Sequence, residues 1–383
     1  MEELIIGFDA KRAVANNTGL GNYSRLVVDV LSACYPQNQY RLYAPKMREN
    51  PRLSSLVGRE NVNVVTPDTK SGRIFRSLWR SGGMTRQLLR DGVTLFHGLS
   101  NELPLNIASS GIPSVVTIHD IIFRRMPQAY KAIDRQIYDF KFRRSCRIAS
   151  RVIAVSQRTK DDIVNDYGIS PDKVDVIYQG CHPQFALPQD LQKRQEVAAR
   201  YSLPERYYIA VGSVELRKNQ LLAIKALQGL PNDVKLVIVG RRTAYARELD
   251  SYIAENRLSG RVIFLENVPF ADLPALYAMA CFSSYTSRYE GFGIPLVESL
   301  SAGVPVIACT GSCLEEAGGR GGIYVSPDDV DGYIDNARRL LDDSYLCSKM
   351  VEYGRRHIKR FTNTELAKLT MASYNKAIVS TIF

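Results

Sequence analysis

Short apolar runs of three to six residues alternate along the whole chain with longer stretches whose apolar positions recur every three or four residues. The first pattern fits strands buried on both faces and the second fits amphipathic helices. Their regular alternation predicts parallel sheets covered by helices. In the first half the predicted strands are Leu4–Phe8, Tyr40–Ala44, Val62–Val65, Leu95–His97, Ser114–His119, Arg151–Val155 and Val174–Tyr178. Helices are predicted at Gly21–Cys34, Ser71–Arg90, Gln128–Ala149 and Gln157–Tyr167. The same grammar restarts with strands at Tyr207–Gly212, Val234–Gly240, Val262–Leu265, Cys281–Thr286, Val304–Ala308 and Gly322–Val325. Helices at Asp328–Leu341, Ser344–Phe361 and Thr364–Ile378 close the chain. Gly180 to Pro204 carries three prolines around a short polar helix and reads as a linker. The predicted fold class is therefore α/β, with two doubly wound domains over residues 1–182 and 183–362. Domains of this kind place the carboxyl ends of their strands toward a ligand crevice, here expected as a shared cleft.

Composition narrows the class. At 383 residues the chain exceeds one ordinary core, and 45% apolar with 23% charged residues marks a globular protein. The first residues, Met1-Glu2-Glu3 before a short apolar run, do not make a signal peptide, and no run reaches the ~20 apolar residues of a membrane span. Seven cysteines without a CxxC pair point to a reduced, cytoplasmic setting, and the four histidines lack metal-ligand spacing. The net charge of +11 is uneven: residues 1–180 hold 26 Lys and Arg against 17 Asp and Glu, the remainder 24 against 22. An acidic partner for the first half is expected. Arg73, Arg76 and Arg80 fall on one face of the predicted helix, beside Phe75, Leu78 and the single Trp, a pattern suited to docking on an anionic membrane surface; an ordinary solvated helix face over a core would share it. No recognition motif or aromatic series for nucleic acid accompanies it.

The candidate chemistry gathers at predicted strand ends. Tyr289-Glu290-Gly291-Phe292-Gly293-Ile294-Pro295-Leu296-Val297-Glu298 sets two carboxylates around a glycine-broken helix entry. Pro295 suits a first helical turn, and free amides at such a start seat an anion. A surface loop with one solvated glutamate and one dipole-facing glutamate would share this spacing; the glycines, the proline and the flanking strands favour a ligand seat. Leu296, Val297 and Leu300 are expected to face the core, with Glu298 pointing away. Gly212-Ser213-Val214-Glu215-Leu216-Arg217-Lys218-Asn219 brings two cations to another strand end, and Asn219 is expected to cap the following helix. Thr18-Gly19-Leu20-Gly21-Asn22-Tyr23 is a glycine-rich turn that could cradle an anion, although it lacks the third glycine of a dinucleotide fingerprint. His119 ends an apolar strand, where a structural and a site role are both open. Asp329-Val330-Asp331 is better explained by helix capping than by a metal.

These motifs, with VVTIHD near residue 118, VIAVSQRTKDDI, VDVIYQG, VGSVELRKN, VIFLENVPFADLPALYAMA and YEGFGIPLVESLSAGVPVIA, resemble the retaining glycosyltransferases of family four over essentially the whole chain. The resemblance implies the GT-B fold, two facing Rossmann-like domains, with an acceptor-binding first domain, to which a helix over 363–383 returns, and a second domain that binds a nucleotide sugar. It implies that Glu290 holds donor-sugar hydroxyls, Glu298 the ribose, and Lys218 with Arg217 the diphosphate. Gly293 and Ile294 would offer amides, and Asn267 and Val268 would border the base. Gly19 and Gly21 would form the phosphate and acceptor loop, and His119 would lie near the reacting sugar, so His119, Glu290 and Lys218 are the expected catalytic set. Ser213 departs from the arginine common at its position, so either Arg217 supplies that charge or diphosphate binding is weaker than usual for the family. The resemblance further implies no cofactor and no required metal, a saccharide or lipid-linked acceptor, and, within the family, bacterial mannosyltransferases using GDP-mannose. A UDP-sugar donor and a non-catalytic nucleotide-sugar-binding subunit are the alternatives.

Overall fold

The computed structural model describes Glu3–Ile382, without the side chains of Ser55 and Ile382; Met1, Glu2 and Phe383, the ends of two predicted spans, lie outside the described residues. The chain divides into two compact units, residues 1–179 with 363–383, and residues 180–362. The divide falls after Gln179 rather than at the predicted residue 182.

The first unit holds strands β1 (Ile5–Asp9), β2 (Gln39–Tyr43), β3 (Val62–Val65), β4 (Leu95–Gly98), β5 (Ser114–Ile118), β6 (Arg151–Ala154) and β7 (Val174–Val176). They form one parallel sheet in the order β3-β2-β1-β4-β5-β6-β7. Central strands are buried throughout, as in β5, because helices cover both faces. The helix Gly19–Cys34 buries Tyr23, Val27, Val30 and Leu31, one stripe at helical spacing, against one face. The last helix, Asn363–Ile382, buries Leu366, Ala367, Met371, Tyr374 and Ala377 in that same core. Its Tyr374 hydroxyl lies 2.7 Å from Nδ1 of the fully buried His97, whose Nε2 lies 2.8 Å from Thr117 Oγ1. Asp175, just inside β7, adds ion pairs to Arg151 (2.6 Å) and Lys376 (2.8 Å) and accepts from Ser373 (2.8 Å).

The predicted helix Ser71–Arg90 is not continuous. It divides into Lys70–Ile74, Arg76–Leu78, a wide turn at Trp79–Gly83, and Met84–Arg90. Gly82 and Gly83 weaken the helix there, and the wide turn swings Trp79 inside, where its Nε1–H donates to Gln87 Oε1 at 3.1 Å. Arg80 follows it inward, so the predicted three-arginine face does not exist. Ile74, Phe75 and Leu78 remain 73, 58 and 69% exposed, beside Arg73 and Arg76.

The second unit holds β8 (Tyr207–Val211), β9 (Lys235–Val239), β10 (Val262–Leu265), β11 (Ser283–Tyr285), β12 (Val306–Cys309) and β13 (Gly322–Val325), parallel and ordered β10-β9-β8-β11-β12-β13. Both sheets thus reverse direction of strand order once, between β1 and β4 and between β8 and β11. Each reversal opens a crevice beyond the carboxyl ends of the flanking strands. Helices Lys11–Ala15, Ala246–Glu255 and Leu273–Ala278 were not predicted.

Candidate active site

At the reversal in the second unit, the chain leaving β8 enters a short turn, Leu216–Lys218, and the chain leaving β11 runs through Thr286 and Ser287 to Glu290. Backbone ties stitch the two loops together: Arg288 N–H donates to the Arg217 carbonyl at 2.9 Å, and Thr286 Oγ1 donates to the carbonyls of Lys218 and Asn219 at 3.1 and 2.9 Å. Asn219 occupies the cap position before Gln220–Ala226, but in the left-handed region (φ 52°) and without a side-chain cap; its Nδ2–H donates to Pro327 O at 2.8 Å. The expected cap is therefore absent, because that side chain ties the loop to the one after β13.

This stitching brings Arg217, Lys218 and Glu290 into direct contact. Glu290 Oε1 accepts from Arg217 (2.6 Å), Lys218 (2.5 Å), Ser287 Oγ (2.6 Å) and Tyr285 OH (3.1 Å). Among the described residues Oε2 accepts no hydrogen bond. One carboxylate oxygen is thus anchored and the other is left to accept from a ligand. Burial pushes the Glu290 carboxyl up, but Lys218 and Arg217 outweigh it and hold it down to about 2. Burial pushes Lys218 below its ordinary value; Glu290 opposes this, and Arg217 reinforces it. The two residues move as they do because two cations crowd one buried carboxylate. Ser213, at the position that departs from the family pattern, donates to Glu215 Oε1 at 2.6 Å, and Glu215 in turn lies 3.5 Å from Arg217.

Gly293 precedes the helix Ile294–Ser301 with φ +110°, and a Cβ there would sit 2.9 Å from Leu314 Cδ2, so only glycine fits this entry. Glu298 lies on that helix. Contrary to expectation it does not face outward: it is 8% exposed, with Leu296, Val297 and Leu300 buried beside it. Its single hydrogen-bond donor among the described residues is Tyr277 OH, at 3.4 Å. Burial pushes its carboxyl up to about 7, against the smaller lowering effect of Tyr277. Asn267 (φ 55°, exposed) and Val268 follow β10, the edge strand two places from β8, and no hydrogen bond ties them to the Glu290 cluster among the described residues.

The remaining expected residues belong to the first unit. His119 follows β5 and is 6% exposed; its Nε2–H donates to Leu99 O at 2.9 Å and its Nδ1 lies 3.4 Å from Gln179 Nε2. Burial lowers its pKa to about 4, so the ring is neutral near pH 7. Gly19 and Gly21 do not form a flexible loop. They open the helix Gly19–Cys34, and a Cβ on Gly21 would fall 1.8 Å from the Asn16 carbonyl oxygen. Gly21 is spent on backbone packing, and Gly19 alone is exposed. Asp329 caps its helix by accepting from Gly332 N–H at 2.8 Å. Among the described residues no group of three or more His, Cys, Asp or Glu is placed to hold a metal ion. Sequence reasoning missed Tyr285, Ser287 and Tyr277, which aim the two glutamates; the period of β11 alone could have pointed Tyr285 toward a ligand.

Comparison with known proteins agrees with this geometry. The Glycosyltransferase Family 4 model matches residues 26–185, and the Glycosyl transferases group 1 model matches residues 193–357. The chain carries two glycosyltransferase domains, one of each family. Among relatives of this glycosyltransferase, the O-antigen chain mannosyltransferase RfbU of Salmonella typhimurium is 31% identical over 59% of the chain, a match spanning 61% of that protein. The O-antigen chain mannosyltransferase B of Escherichia coli is 28% identical over 73% of the chain and 74% of its own length. The crystal structure of Anabaena Alr3699/HepE in complex with UDP and glucose has a TM-score of 0.75 at 18% identity, over 98% of this glycosyltransferase and 100% of that chain. The likeness places the fold among the GT-B glycosyltransferases.

Proposed function

We propose that this glycosyltransferase is a retaining, metal-independent hexosyltransferase that moves mannose from GDP-mannose to a saccharide or lipid-linked saccharide during surface-polysaccharide assembly. One observation carries the reading: a buried pair of cations sharing a single carboxylate at the strand-order reversal of the second unit. The two O-antigen chain mannosyltransferases among its relatives support mannose as the sugar transferred and polysaccharide assembly as the setting.

In this reading Arg217 and Lys218 hold the donor diphosphate, helped by the amides of Gly293 and Ile294 at a helix start. Glu290 Oε2 accepts sugar hydroxyls, Glu298 accepts from the ribose, and Asn267 and Val268 border the base. Gly19 and His119 serve the acceptor side, with His119 as a neutral orienting ring. The bond from the anomeric carbon to the phosphate oxygen breaks as the sugar becomes cation-like and the diphosphate gains charge. Fixed cations stabilise that charge without reorganising, which is the work a metal does elsewhere. The acceptor oxygen bonds to the anomeric carbon on the face the diphosphate leaves, and its proton passes to the departing phosphate oxygen. The products are the glycoside and free GDP, with configuration retained.

A donor-hydrolysis screen across GDP- and UDP-sugars tests this. Release of mannose from GDP-mannose is expected. Release from a UDP-sugar alone would replace the donor, and binding without release or transfer from any donor would favour a non-catalytic subunit. The basic excess of the first unit, with exposed Ile74, Phe75 and Leu78, supports peripheral attachment to an anionic cytoplasmic leaflet. Sedimentation with phosphatidylglycerol vesicles, lost in an Arg73/Arg76→Glu variant, is the expected result; wild type left in the supernatant would end that part.

A further inference from the structure

A line of buried polar side chains crosses the first unit from its last helix to His119. Tyr374 OH lies 2.7 Å from His97 Nδ1, His97 Nε2 lies 2.8 Å from Thr117 Oγ1, and Thr117 Oγ1 lies 3.1 Å from Tyr23 OH. Tyr23, near the start of the helix Gly19–Cys34, sets its ring at right angles to the His119 ring, with centroids 4.6 Å apart. Thr117 lies in β5 and His119 just past it, two positions on, so both side chains leave the same face. Burial, reinforced by His119, lowers the His97 pKa to about 3, so its ring is neutral near pH 7. A neutral His97 carries one ring proton and the three hydroxyls one each, four protons for three contacts. One hydroxyl proton therefore has no acceptor among the described residues. On Tyr374 or Thr117 it would be a donor stranded in the core, since both are fully buried; Tyr23, 4% exposed, is the one member of the line that is not sealed off. The favoured order thus runs from Tyr374 O–H to His97 Nδ1, from His97 Nε2–H to Thr117, and from Thr117 O–H to Tyr23.

We propose that this directed line makes Tyr23 a positioning residue for His119, with Tyr374 of the last helix as its remote anchor. The proposal rests on the transferase reading above, in which His119 is a neutral orienting ring. The His119 ring needs such a support. Its Nε2–H is fixed by Leu99 O at 2.9 Å, but Nδ1 has only the long 3.4 Å contact to Gln179 Nε2, which leaves the ring able to rock about the first bond. The Tyr23 ring stands against that rocking motion. It can do so because the phenol is tied at its far end as well as at the helix, so the ring cannot swing away as a whole. The tie depends on the far members. Thr117 turns its O–H toward Tyr23 when His97 Nε2–H occupies a Thr117 lone pair, and His97 carries its proton on Nε2 because Tyr374 donates into Nδ1. A hydroxyl on the last helix thereby sets the tautomer of one histidine and, through two more hydroxyls, the attitude of another.

Two measurements on the full chain test this. The chain has four histidines, and a His182→Gln/His357→Gln background leaves His97 and His119 as its two imidazoles. Long-range proton–nitrogen NMR of that protein should show both rings neutral and protonated on Nε2; a ring protonated on Nδ1 overturns the direction of the line. Adding Thr117→Val, which keeps the shape and removes the hydroxyl, should shift the His119 ring signals, and Thr117→Ser should leave them near their original positions. The second measurement is steady-state transfer with the preferred donor. Thr117→Val should lower kcat roughly ten- to a hundredfold, the cost of a misplaced orienting group, with the donor KM unchanged, and Thr117→Ser should restore most of the loss. Wild-type kcat in a Thr117→Val protein overturns the proposal. If Thr117→Val melts early, Tyr374→Phe takes its place: it should move part of His97 to the Nδ1–H tautomer and lower kcat, and a moved tautomer with unchanged kcat counts against the positioning role. If wild type transfers from no donor, the transferase reading fails by itself. His119 signals that move in Thr117→Val and return in Thr117→Ser then still support the support line, and signals that stay put overturn it too.

Discussion

Replacing Glu298 by glutamine should change how stability responds to pH more than it changes stability in acid. The carboxyl is 8% exposed, and burial raises its pKa from the ordinary 4.5 to about 7. An acid raised in the folded state binds its proton more tightly there than in the unfolded chain, so folding loses stability as pH climbs. The loss begins near pH 4.5 and is complete a little above pH 7, and the shift corresponds to about 3 kcal/mol. Glutamine keeps the shape and accepts from Tyr277 but has no proton to lose. Thermal melting of both proteins at half-unit steps from pH 4.5 to 8.5 should therefore show curves that meet in acid and diverge toward base. Glutamine should gain roughly 5–10 °C at the alkaline end. Saturating GDP supplies a second axis. Ribose hydroxyls favour the ionised carboxylate, so GDP should recover part of the alkaline loss in wild type and do so less in the variant. Parallel melting curves across the whole range would refute the burial argument, and equal GDP effects would refute the ribose assignment.

Lys218→Ala should lower turnover by roughly 10²–10³, the loss seen when one fixed donor to a developing charge is removed; steady-state transfer with the preferred donor measures it, and unchanged turnover would contradict the diphosphate role. Gly21→Ala should destabilise the first unit by about 1–3 kcal/mol or prevent its folding, since the new methyl would fall 1.8 Å from the Asn16 carbonyl oxygen; urea unfolding followed at Trp79 reports it. Chelation with EDTA should leave transfer unaffected, and inactivation restored by a divalent ion would overturn the metal-independent reading. Asp175→Asn should loosen the last helix, because it removes the charge that holds Arg151, Lys376 and Ser373. Since these partners keep that carboxyl below its ordinary range, wild type should shed the same stability only as pH falls through and below about 4. Hydrogen exchange in residues 363–382 is the readout.

All thirteen strands were legible, most plainly β9, because a parallel sheet covered on both faces favours apolar runs. The cluster of Arg217, Lys218 and Glu290 was legible because charges placed just past strand ends have few structural uses. What pattern could not supply is direction. Arg80 shares a helical face with Arg73 and Arg76 only if the helix is regular, and the wide turn at Trp79–Gly83 sends it inward instead. Asn219 has a capping side chain, yet the left-handed backbone required by the loop takes that side chain away from the helix start. Glu298 was turned outward by helical arithmetic, but the helix is covered on more than one side, and Tyr277 comes from an element that was not predicted. Asp9 and Glu102 are 93 positions apart and meet only through Arg80.

The first unit draws its closing helix from the far end of the polypeptide, after the whole of the second has been spelled out. A ribosome therefore releases the opening 179 residues with an apolar seam still waiting for Leu366, Met371 and Tyr374. Until those residues emerge, the unit that comes first cannot finish first, reversing the usual order of vectorial folding. The inserted segment, contiguous from 180 to 362, is free to mature ahead of it. A released chain ending at residue 362 should thus protect its later half from protease while its earlier half stays cleavable.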